Sequence, residues 1–233
     1  MPLAGTSHRR RVYLMRHGEV DYFGSNGQPV DPRQLRLTES GRKQALAAGE
    51  VLANIMFDRV ISSGLPRATE TAQLASGCCE KSIDTIEGFQ EIRAGRLREL
   101  PEAEIERRIA YAFDDAGESD SLFINGERFF DFENRVFAAW HDVLTDHTWD
   151  QLLLVAHEGV NRAILAWAAG GGRESMMRFD QDAGCYNVID IDTHDGEVTR
   201  SFIKSHNVTP YNLAKENMHL SNMEQVYRKY LNK

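Results

Sequence analysis

Residues 12–19 read VYLMRHGE, and this stretch decides how the rest of the chain is interpreted. Its first four residues are apolar, which is typical of a short strand buried in a parallel sheet. Arg16, His17 and Gly18 follow at the carboxyl end of that strand, where open α/β sheets bind their ligands. Arginine can bind phosphate through its fork of donors, histidine can act as a nucleophile or a base, and glycine lets the backbone approach a ligand closely. The stretch therefore predicts an anion site at the edge of a sheet.

Length, charge and cysteine content exclude several classes of protein. The chain has 233 residues, enough for one large domain or two small ones, and its net charge of −8 is unlike the basic surface of a nucleic-acid-binding protein. Its longest apolar stretches, such as residues 163–169, are too short to span a bilayer. The three cysteines, Cys78, Cys79 and Cys185, have the spacing of neither a zinc site nor a disulfide framework. Their odd number suits a reducing compartment, so we predict a cytoplasmic protein. The charge and the short apolar stretches further predict that it binds neither nucleic acid nor membrane.

Short apolar runs alternate with amphipathic stretches along most of the chain. Thr38 is a suitable N-cap for a helix that ends at Leu52, and Pro66 suits the first turn of a second helix. Strands alternating with helices predict an α/β fold, a three-layer sandwich with a mostly parallel central sheet and helices on both faces. The predicted strands lie at residues 11–15, 59–62, 82–86, 152–156, 185–191 and 197–203, and the later helices at residues 102–113, 129–144 and 159–169.

One domain accounts for most of the chain. Residues 1–10 are predicted to form a flexible basic arm rather than a secretory signal, since they lack an apolar segment. Residues 11–205 form the predicted domain, and residues 206–233 form a polar tail that ends in a helix. This helix is predicted to pack on its own domain, with a contact in a homodimer or a cover over the site as alternatives. Its predicted apolar face consists of Leu220, Met223, Val226, Tyr227, Tyr230 and Leu231.

Three segments that are far apart in sequence are predicted to meet at one edge of the sheet. His157 directly follows the fourth predicted strand, just as His17 follows the first. Arg67 lies in the first turn of the helix after the second strand, again at a strand's carboxyl end. Together with Arg16, these residues predict an anion pocket made of two arginines, two histidines and a helix N-terminus.

The order and spacing of these motifs resemble those of the histidine phosphatase superfamily, which includes phosphoglycerate mutases and fructose-bisphosphatase domains. The resemblance covers roughly residues 11–167 and implies a phosphoglycerate mutase-like fold. The matching stretches are LMRHGE at residues 14–19, LTESG at 37–41, ISSGLPRATETA at 61–72 and VAHEGV at 155–160.

The resemblance implies a reaction in which His17 attacks phosphorus and forms a phosphohistidine that water then hydrolyses. The attacking nitrogen of His17 must be neutral, with the other ring nitrogen hydrogen-bonded to a backbone carbonyl. Arg16, Arg67 and His157 would hold the phosphoryl oxygens and stabilise the charge of the transition state. Because these side chains supply the positive charge, the resemblance implies neither a metal nor another cofactor.

The same resemblance assigns protonation of the leaving oxygen to a glutamate after the third strand. Glu91, in FQEI at residues 89–92, lies at that place, while Glu87 and Glu99 are alternatives. A carboxyl group beside a phosphate has a raised pKa, because nearby negative charge disfavours its ionisation. This suits a group that first acts as an acid and later activates water as a base.

Two stretches depart from the family's pattern. After residue 19 the family commonly has Thr or Ser and, a little later, an Asn that touches phosphate, whereas this chain continues VDYF. Either one polar phosphate contact is absent from this chain, or Ser25 or Asn26 supplies it from the loop. Glu158 replaces the usual glycine after the second histidine, where it would crowd a phosphate or recognise a cation or hydroxyl of the substrate. The candidates for substrate contacts are therefore Glu19, Tyr22, Phe23, Asn26 and Glu158.

The chain is predicted to be a phosphatase that acts on a small phosphorylated metabolite. Phosphoglycerate mutases of the family carry a longer insert between the acid and the second histidine than residues 91–157 provide. A mutase and a catalytically weak binding or scaffold protein stay as alternatives, although the presence of His17 argues for an active enzyme. Several aromatic side chains are expected either in an apolar substrate pocket or in the core, namely Tyr22, Phe23, Phe89, Phe123, Phe129 and Phe130.

Overall fold

A six-stranded sheet forms the centre of the computed structural model, which describes residues 8–24, 30–78 and 82–232. The strands are β1 (His8–Arg16), β2 (Arg59–Ser62), β3 (Asp84–Thr85), β4 (Gln151–Ala156), β5 (Tyr186–His194) and β6 (Glu197–Val208). They lie in the order β3-β2-β4-β1-β5-β6. The first four strands in this order are parallel, while β5 is antiparallel to β1 and β6 is antiparallel to β5. The predicted mostly parallel sheet is therefore confirmed.

Helices flank this sheet, as the predicted α/β sandwich requires. They are α1 (Glu39–Leu52), α2 (Pro66–Ser76), α3 (Ile105–Ala110), α4 (Phe129–Thr145), α5 (Glu158–Ala168) and α6 (Asn222–Leu231). The Thr38 side chain caps α1 as predicted, by accepting a hydrogen bond from the Gly41 N–H. The helix predicted at residues 102–113 is shorter in the structure, because a 3₁₀ turn at Glu102–Glu104 precedes α3. No helix in the described ranges is long and apolar enough to cross a bilayer.

The central strand β1 shows how the sequence pattern produces two hydrophobic cores. Successive side chains of a strand point to opposite faces of the sheet. Val12 and Leu14 accordingly join the larger core, to which α4 and α5 contribute, whereas Tyr13 and Met15 join a second core with α1 and α2. All four side chains are buried, which explains the unbroken apolar run that opens the motif.

The predicted N-terminal arm is wrong at its last three residues, because β1 begins at His8. Arg10, expected in the arm, is 1% exposed. Its guanidinium donates to the carbonyl oxygens of Leu144 at 2.5 Å and Asp146 at 2.7 Å, and it lies over the Trp149 ring. The end of a helix leaves carbonyl groups without partners inside the helix, and Arg10 supplies donors for them. Residues 1–7 of the predicted arm lie outside the described residues.

The tail helix α6 packs against α3. Met223 is buried in the larger core, and Val226, Tyr227 and Tyr230 pack against that core. Leu231, predicted on the same face, is 61% exposed at the last position of the helix. The apolar face of the tail is thus directed to its own domain over most of its length.

The aromatic side chains considered for a substrate pocket lie mostly in the core. Phe89, Phe123 and Phe129 belong to the larger core, and the Phe123 and Phe129 rings meet edge to face with their centroids 6.0 Å apart. Phe130 is 45% exposed, with the Arg173 guanidinium over its ring. For the three buried rings the structure supports the core interpretation, which agrees with the general burial of large apolar side chains.

Candidate active site

The two histidines at strand ends lie side by side. β1 and β4 are neighbouring parallel strands whose register pairs Arg16 with Ala156, so the residue after each strand reaches the same edge of the sheet. The ring centroids of His17 and His157 are 5.1 Å apart, and both side chains are buried. The structure thus brings these residues together as the strand pattern predicts.

The hydrogen bonds of His17 show which of its ring nitrogens carries the proton and which carries the lone pair. Nδ1 lies 2.7 Å from the carbonyl oxygen of Gly18, and this oxygen can only accept, so Nδ1 carries the proton and donates it. Nε2 accepts a hydrogen bond from Arg67 Nε at 3.1 Å. The lone pair of Nε2 therefore points to a guanidinium, where an anionic phosphoryl group would bind.

Burial and nearby cations keep both imidazoles neutral. Burial lowers the pKa of His17 well below its usual value, and the charges of Arg67 and Arg16 lower it further. Burial likewise lowers the pKa of His157, again with Arg67 and with His17 contributing. A neutral His17 has a lone pair available for attack on phosphorus over the physiological pH range.

Arg67 enters the site from the first turn of α2, where Pro66 occupies the N-terminal position. Besides its bond to His17, it donates from Nη1 to the carbonyl oxygen of Pro32 at 2.5 Å. Thr71, one turn later, donates to the Arg67 carbonyl oxygen at 2.7 Å and accepts from the Gly18 N–H at 3.1 Å. These contacts fix α2 against the loop that carries His17.

Arg16 is buried at the end of β1 and is held from two sides. Its Nη1 donates to the carbonyl oxygen of Gln181 at 2.5 Å, and its Nη2 donates to Asn222 Oδ1 at 3.0 Å. Its Nε has no hydrogen-bond partner among the described residues. A buried donor without a partner costs free energy, so this N–H is available for a phosphoryl oxygen.

Ser63 is a site residue that the sequence analysis missed. Its Oγ lies 2.7 Å from Nε2 of His157. It follows β2, which is hydrogen-bonded to β4, and so it reaches the same sheet edge as the second histidine. The signal was present in the sequence, since Ser63 lies inside the matched stretch ISSGLPRATETA.

The Glu91 side chain lies at the site, where it contacts the N-terminus of α5. Its carboxylate accepts hydrogen bonds from the Ile92 N–H at 2.9 Å and from the Gly159 N–H at 3.1 Å. Gly159 stands two residues after His157, so the acid and the second histidine are tied to the same helix end. The alternatives Glu87 and Glu99 are exposed, and the structure therefore favours Glu91.

The surroundings of Glu91 favour its protonated form. Burial raises the pKa of its carboxyl group, and the charge of Glu158 raises it further, against the opposing effect of the two backbone donors and Arg67. The segment is held by Arg135, which sequence reasoning missed. Arg135 Nη1 donates to the carbonyl oxygens of Gly88 at 2.9 Å and Gln90 at 2.7 Å.

Glu158 is buried and bound by protein groups on both carboxylate oxygens. Oε1 accepts from Arg162 Nε at 3.1 Å and Nη2 at 2.8 Å, while Oε2 accepts from Asn222 Nδ2 at 2.5 Å. Both carboxylate oxygens therefore already accept hydrogen bonds from protein donors. This arrangement does not favour the direct contact between Glu158 and substrate that the sequence suggested.

The other candidates for substrate contacts divide into three groups. Glu19 anchors α1, since its N–H donates to Gln44 Oε1 at 2.8 Å and its carbonyl oxygen accepts from the Thr38 N–H at 3.0 Å. Phe23 is buried, and Tyr22 packs on a small cluster around Leu35 and Leu37 while lying within electrostatic range of Arg16 and Arg67. Ser25 and Asn26 lie outside the described residues.

A close contact within the protein explains why residue 18 is a glycine. A Cβ atom at this position would lie 2.3 Å from the carbonyl oxygen of Gly41, and one at Gly41 would lie 2.2 Å from the carbonyl oxygen of Glu19. The two glycines of the RHG and LTESG motifs therefore face each other where the end of β1 meets the start of α1. The close approach that the sequence predicted for a ligand is here an approach of backbone to backbone.

We expect Gly18→Ala to lower the free energy of unfolding by about 3 kcal/mol, because the added methyl group meets backbone that cannot move aside. Denaturant unfolding followed by circular dichroism measures this. Gly77→Ala is the matched control, since a Cβ there meets nothing within 4 Å and only the left-handed φ of 69° is strained. The control is expected to lose about 1 kcal/mol. Equal losses in the two variants would contradict the backbone clash.

Comparison with known proteins agrees with this geometry. The family model of the histidine phosphatase superfamily (branch 1) matches residues 12–204. The chain is 30% identical over 190 residues to the adenosylcobalamin/alpha-ribazole phosphatase of Escherichia coli K12, covering 78% of this chain and 90% of that protein. It is 28% identical over 204 residues to a probable 2-carboxy-D-arabinitol-1-phosphatase of Arabidopsis thaliana, covering 86% of this chain and 42% of that protein.

A solved structure shares the fold. The crystal structure of a putative alpha-ribazole-5'-P phosphatase from Escherichia coli K-12 matches with a TM-score of 0.69 and 27% sequence identity, over 86% of this chain and 97% of that chain. The fold and the paired-histidine site define an enzyme of the phosphatase class. The chain belongs to the histidine phosphatase superfamily, as its motifs predicted.

Proposed function

We propose that this enzyme hydrolyses a small phosphomonoester through a phosphohistidine on Nε2 of His17, without a metal ion. The observation that carries the proposal is the hydrogen-bond pattern of this imidazole. Nδ1 donates to a backbone carbonyl, which leaves the lone pair of Nε2 directed to Arg67. A nucleophile and a phosphate ligand are thus already aligned in the protein.

The first half of the reaction transfers the phosphoryl group to the protein. Nε2 of His17 attacks phosphorus, a P–N bond forms and the ester P–O bond breaks. Glu91 gives its proton to the leaving oxygen, so the product leaves as an alcohol and Glu91 becomes a carboxylate.

The second half regenerates the enzyme. The Glu91 carboxylate takes a proton from water, the resulting hydroxide oxygen attacks phosphorus, and the P–N bond breaks. Inorganic phosphate leaves, and His17 Nε2 regains its lone pair. Both halves pass through a transition state with charge on the equatorial oxygens, which Arg16 and Arg67 stabilise by positive charge and hydrogen bonds and the neutral His157 by a hydrogen bond.

The side chains around the phosphate position support a reaction without a metal. Arg16 and Arg67 carry fixed positive charge into a buried site, where charge is screened less than in water. In the described part of the chain, no three His, Cys, Asp or Glu side chains are grouped so that they could hold a metal ion.

The names of relatives support a class of substrate. Two of them are called adenosylcobalamin/alpha-ribazole phosphatase and probable 2-carboxy-D-arabinitol-1-phosphatase, which denote phosphorylated small metabolites. We propose a substrate of this kind. A mutase and a weakly catalytic scaffold are the alternatives that the experiment below distinguishes.

Hydrolysis of p-nitrophenyl phosphate and of a panel of sugar phosphates, nucleotide-loop phosphates, phosphoglycerates and phosphopeptides, with EDTA present, tests the proposal. We expect turnover of p-nitrophenyl phosphate and preferred turnover of one phosphorylated metabolite. Activity that disappears with EDTA and returns with a divalent cation would contradict the metal-free mechanism. Isomerisation of 3-phosphoglycerate with a bisphosphoglycerate primer would identify a mutase, and no turnover at all would favour a scaffold.

Assembly and location stay predictions. A homodimer contact is the alternative use of the amphipathic tail, and light scattering measures the oligomeric state. A cytoplasmic protein that binds neither nucleic acid nor membrane is predicted from charge and cysteine content.

A further inference from the structure

Asn222, the first residue of α6, contacts Arg16, although the two residues lie far apart in the sequence. Asn222 Oδ1 accepts a hydrogen bond from Arg16 Nη2 at 3.0 Å, and Asn222 Nδ2 donates to Glu158 Oε2 at 2.5 Å. Asn222 lies beyond residues 12–204, the part that the family model matches. One amide group therefore joins the C-terminal segment to two charged groups at the site.

The amide lies between two opposite charges. Arg16 Nη2 and Glu158 Oε2 form an ion pair at 3.8 Å, longer than a hydrogen bond, and both side chains are only 3% exposed. In a buried site a carboxylate oxygen is strongly attracted to a guanidinium. Because Asn222 supplies a donor to Glu158 and an acceptor to Arg16, it satisfies both groups without a direct hydrogen bond between them.

The position of the amide is fixed by the helix that carries it. Ser221 caps α6, with Glu224 completing a reciprocal capping box. Met223, the next residue in the helix, is buried in the larger core. The backbone at Asn222 is therefore held on both sides, and its amide meets Arg16 in a defined orientation.

We propose that Asn222 is a positioning residue that holds the Arg16 guanidinium for phosphate and keeps Glu158 from forming a direct hydrogen bond with it. The inference rests on the proposed function only in taking phosphate as the ligand of Arg16. The Gln181 carbonyl fixes one end of the guanidinium and Asn222 the other. The N–H at Nε, which has no partner among the described residues, is left to face the phosphoryl oxygens.

Asn222→Ala tests this role, with inorganic phosphate as the probe. We expect phosphate affinity, measured by calorimetry, and kcat/KM for p-nitrophenyl phosphate each to fall about tenfold, the effect of losing a hydrogen bond to a charged group. Gln225→Ala is the matched control, because it removes an amide from the same helix that bonds only to the carbonyl oxygen of Leu220. The control is expected to keep wild-type values.

A double-mutant cycle with Glu158→Gln separates positioning from simple packing. Without the carboxylate there is no competitor for Arg16, so we expect Asn222→Ala to cost about twofold instead of about tenfold in phosphate affinity. Thermal unfolding of every variant checks that the comparison is made between folded proteins. If Glu158→Gln does not fold, the comparison of Asn222→Ala with Gln225→Ala decides.

The outcomes distinguish this inference from the proposed function. Unchanged phosphate affinity in Asn222→Ala, or equal losses in it and Gln225→Ala, overturns the inference even if the wild-type enzyme is an active phosphatase. A wild-type protein that binds phosphate but hydrolyses no ester overturns the proposed function, while a selective loss of phosphate binding in Asn222→Ala still supports the positioning role. A wild-type protein that does not bind phosphate overturns both.

Discussion

His17→Ala is expected to lower kcat/KM for p-nitrophenyl phosphate by about 10⁴-fold or more, the scale of losing a nucleophile that acts together with its partners. The loss follows from the proposed mechanism, because Nε2 of His17 carries the lone pair that faces Arg67. Steady-state hydrolysis measures it. His141→Ala is the matched control, since that imidazole is 75% exposed on α4, and it is expected to keep wild-type activity.

A trapping experiment shows whether the His17 imidazole forms the covalent intermediate. Rapid quenching of the wild-type enzyme with radiolabelled substrate in alkali is expected to leave label on His17, because the P–N bond of a phosphohistidine survives alkali and is cleaved by acid. The His17→Ala variant is expected to carry no label. Label on another residue, or residual activity within tenfold of wild type, would contradict a nucleophilic His17.

Glu91→Gln is expected to lower kcat/KM for an alkyl phosphate by about 10³-fold, within the range of general acid catalysis. The same variant should lose less than about tenfold with p-nitrophenyl phosphate, whose phenolate leaves without a proton. The reason is that burial and the charge of Glu158 raise the pKa of the Glu91 carboxyl group, which favours the form that can donate a proton. Parallel assays of the two esters measure the difference, and equal losses would contradict the acid role.

The pH dependence of the alkyl ester gives a second measure of Glu91. The acid must be protonated, so wild-type activity is expected to fall as pH rises through its elevated pKa, and this fall should be missing in Glu91→Gln. His17 must be unprotonated, and since its pKa is well below the usual value, protonation of His17 should cause no loss near pH 6.5. Ionisation of the substrate affects both proteins equally, so the ratio of their rates isolates Glu91. Glu99→Gln, on an exposed residue, is the control.

Much of the site could be predicted from sequence because its residues occupy strand ends. A parallel sheet places the carboxyl ends of its strands at one edge, so His17, His157 and Arg67 could be assigned to one place before their contacts were known. The acid was harder to assign. The resemblance places Glu91 at the acid position with Glu87 and Glu99 as alternatives, and the bonds from the Ile92 and Gly159 amides together with the exposure of the two alternatives favour Glu91.

The parts that were missed depend on long-range packing. Asn222 lies 206 residues after Arg16, and nothing in its local sequence names its partner. Arg135 is one polar position of an amphipathic helix, and its bonds to the Gly88 and Gln90 carbonyl oxygens depend on how α4 packs. The start of β1 was missed because charged residues usually lie on the surface, whereas the Arg10 guanidinium finds acceptors at the end of α4.

The attachment of Glu91 to the start of α5 bears on how such enzymes diverge. The proposed nucleophile, phosphate ligands and acid are held at strand ends and helix ends, and Glu91 is bonded to the helix start that follows His157. Residues 93–128, between Glu91 and α4, instead supply buried side chains such as Ile109 and Phe123 to the larger core. Replacements in this stretch that keep these apolar side chains can therefore accumulate while the site residues keep their spacing.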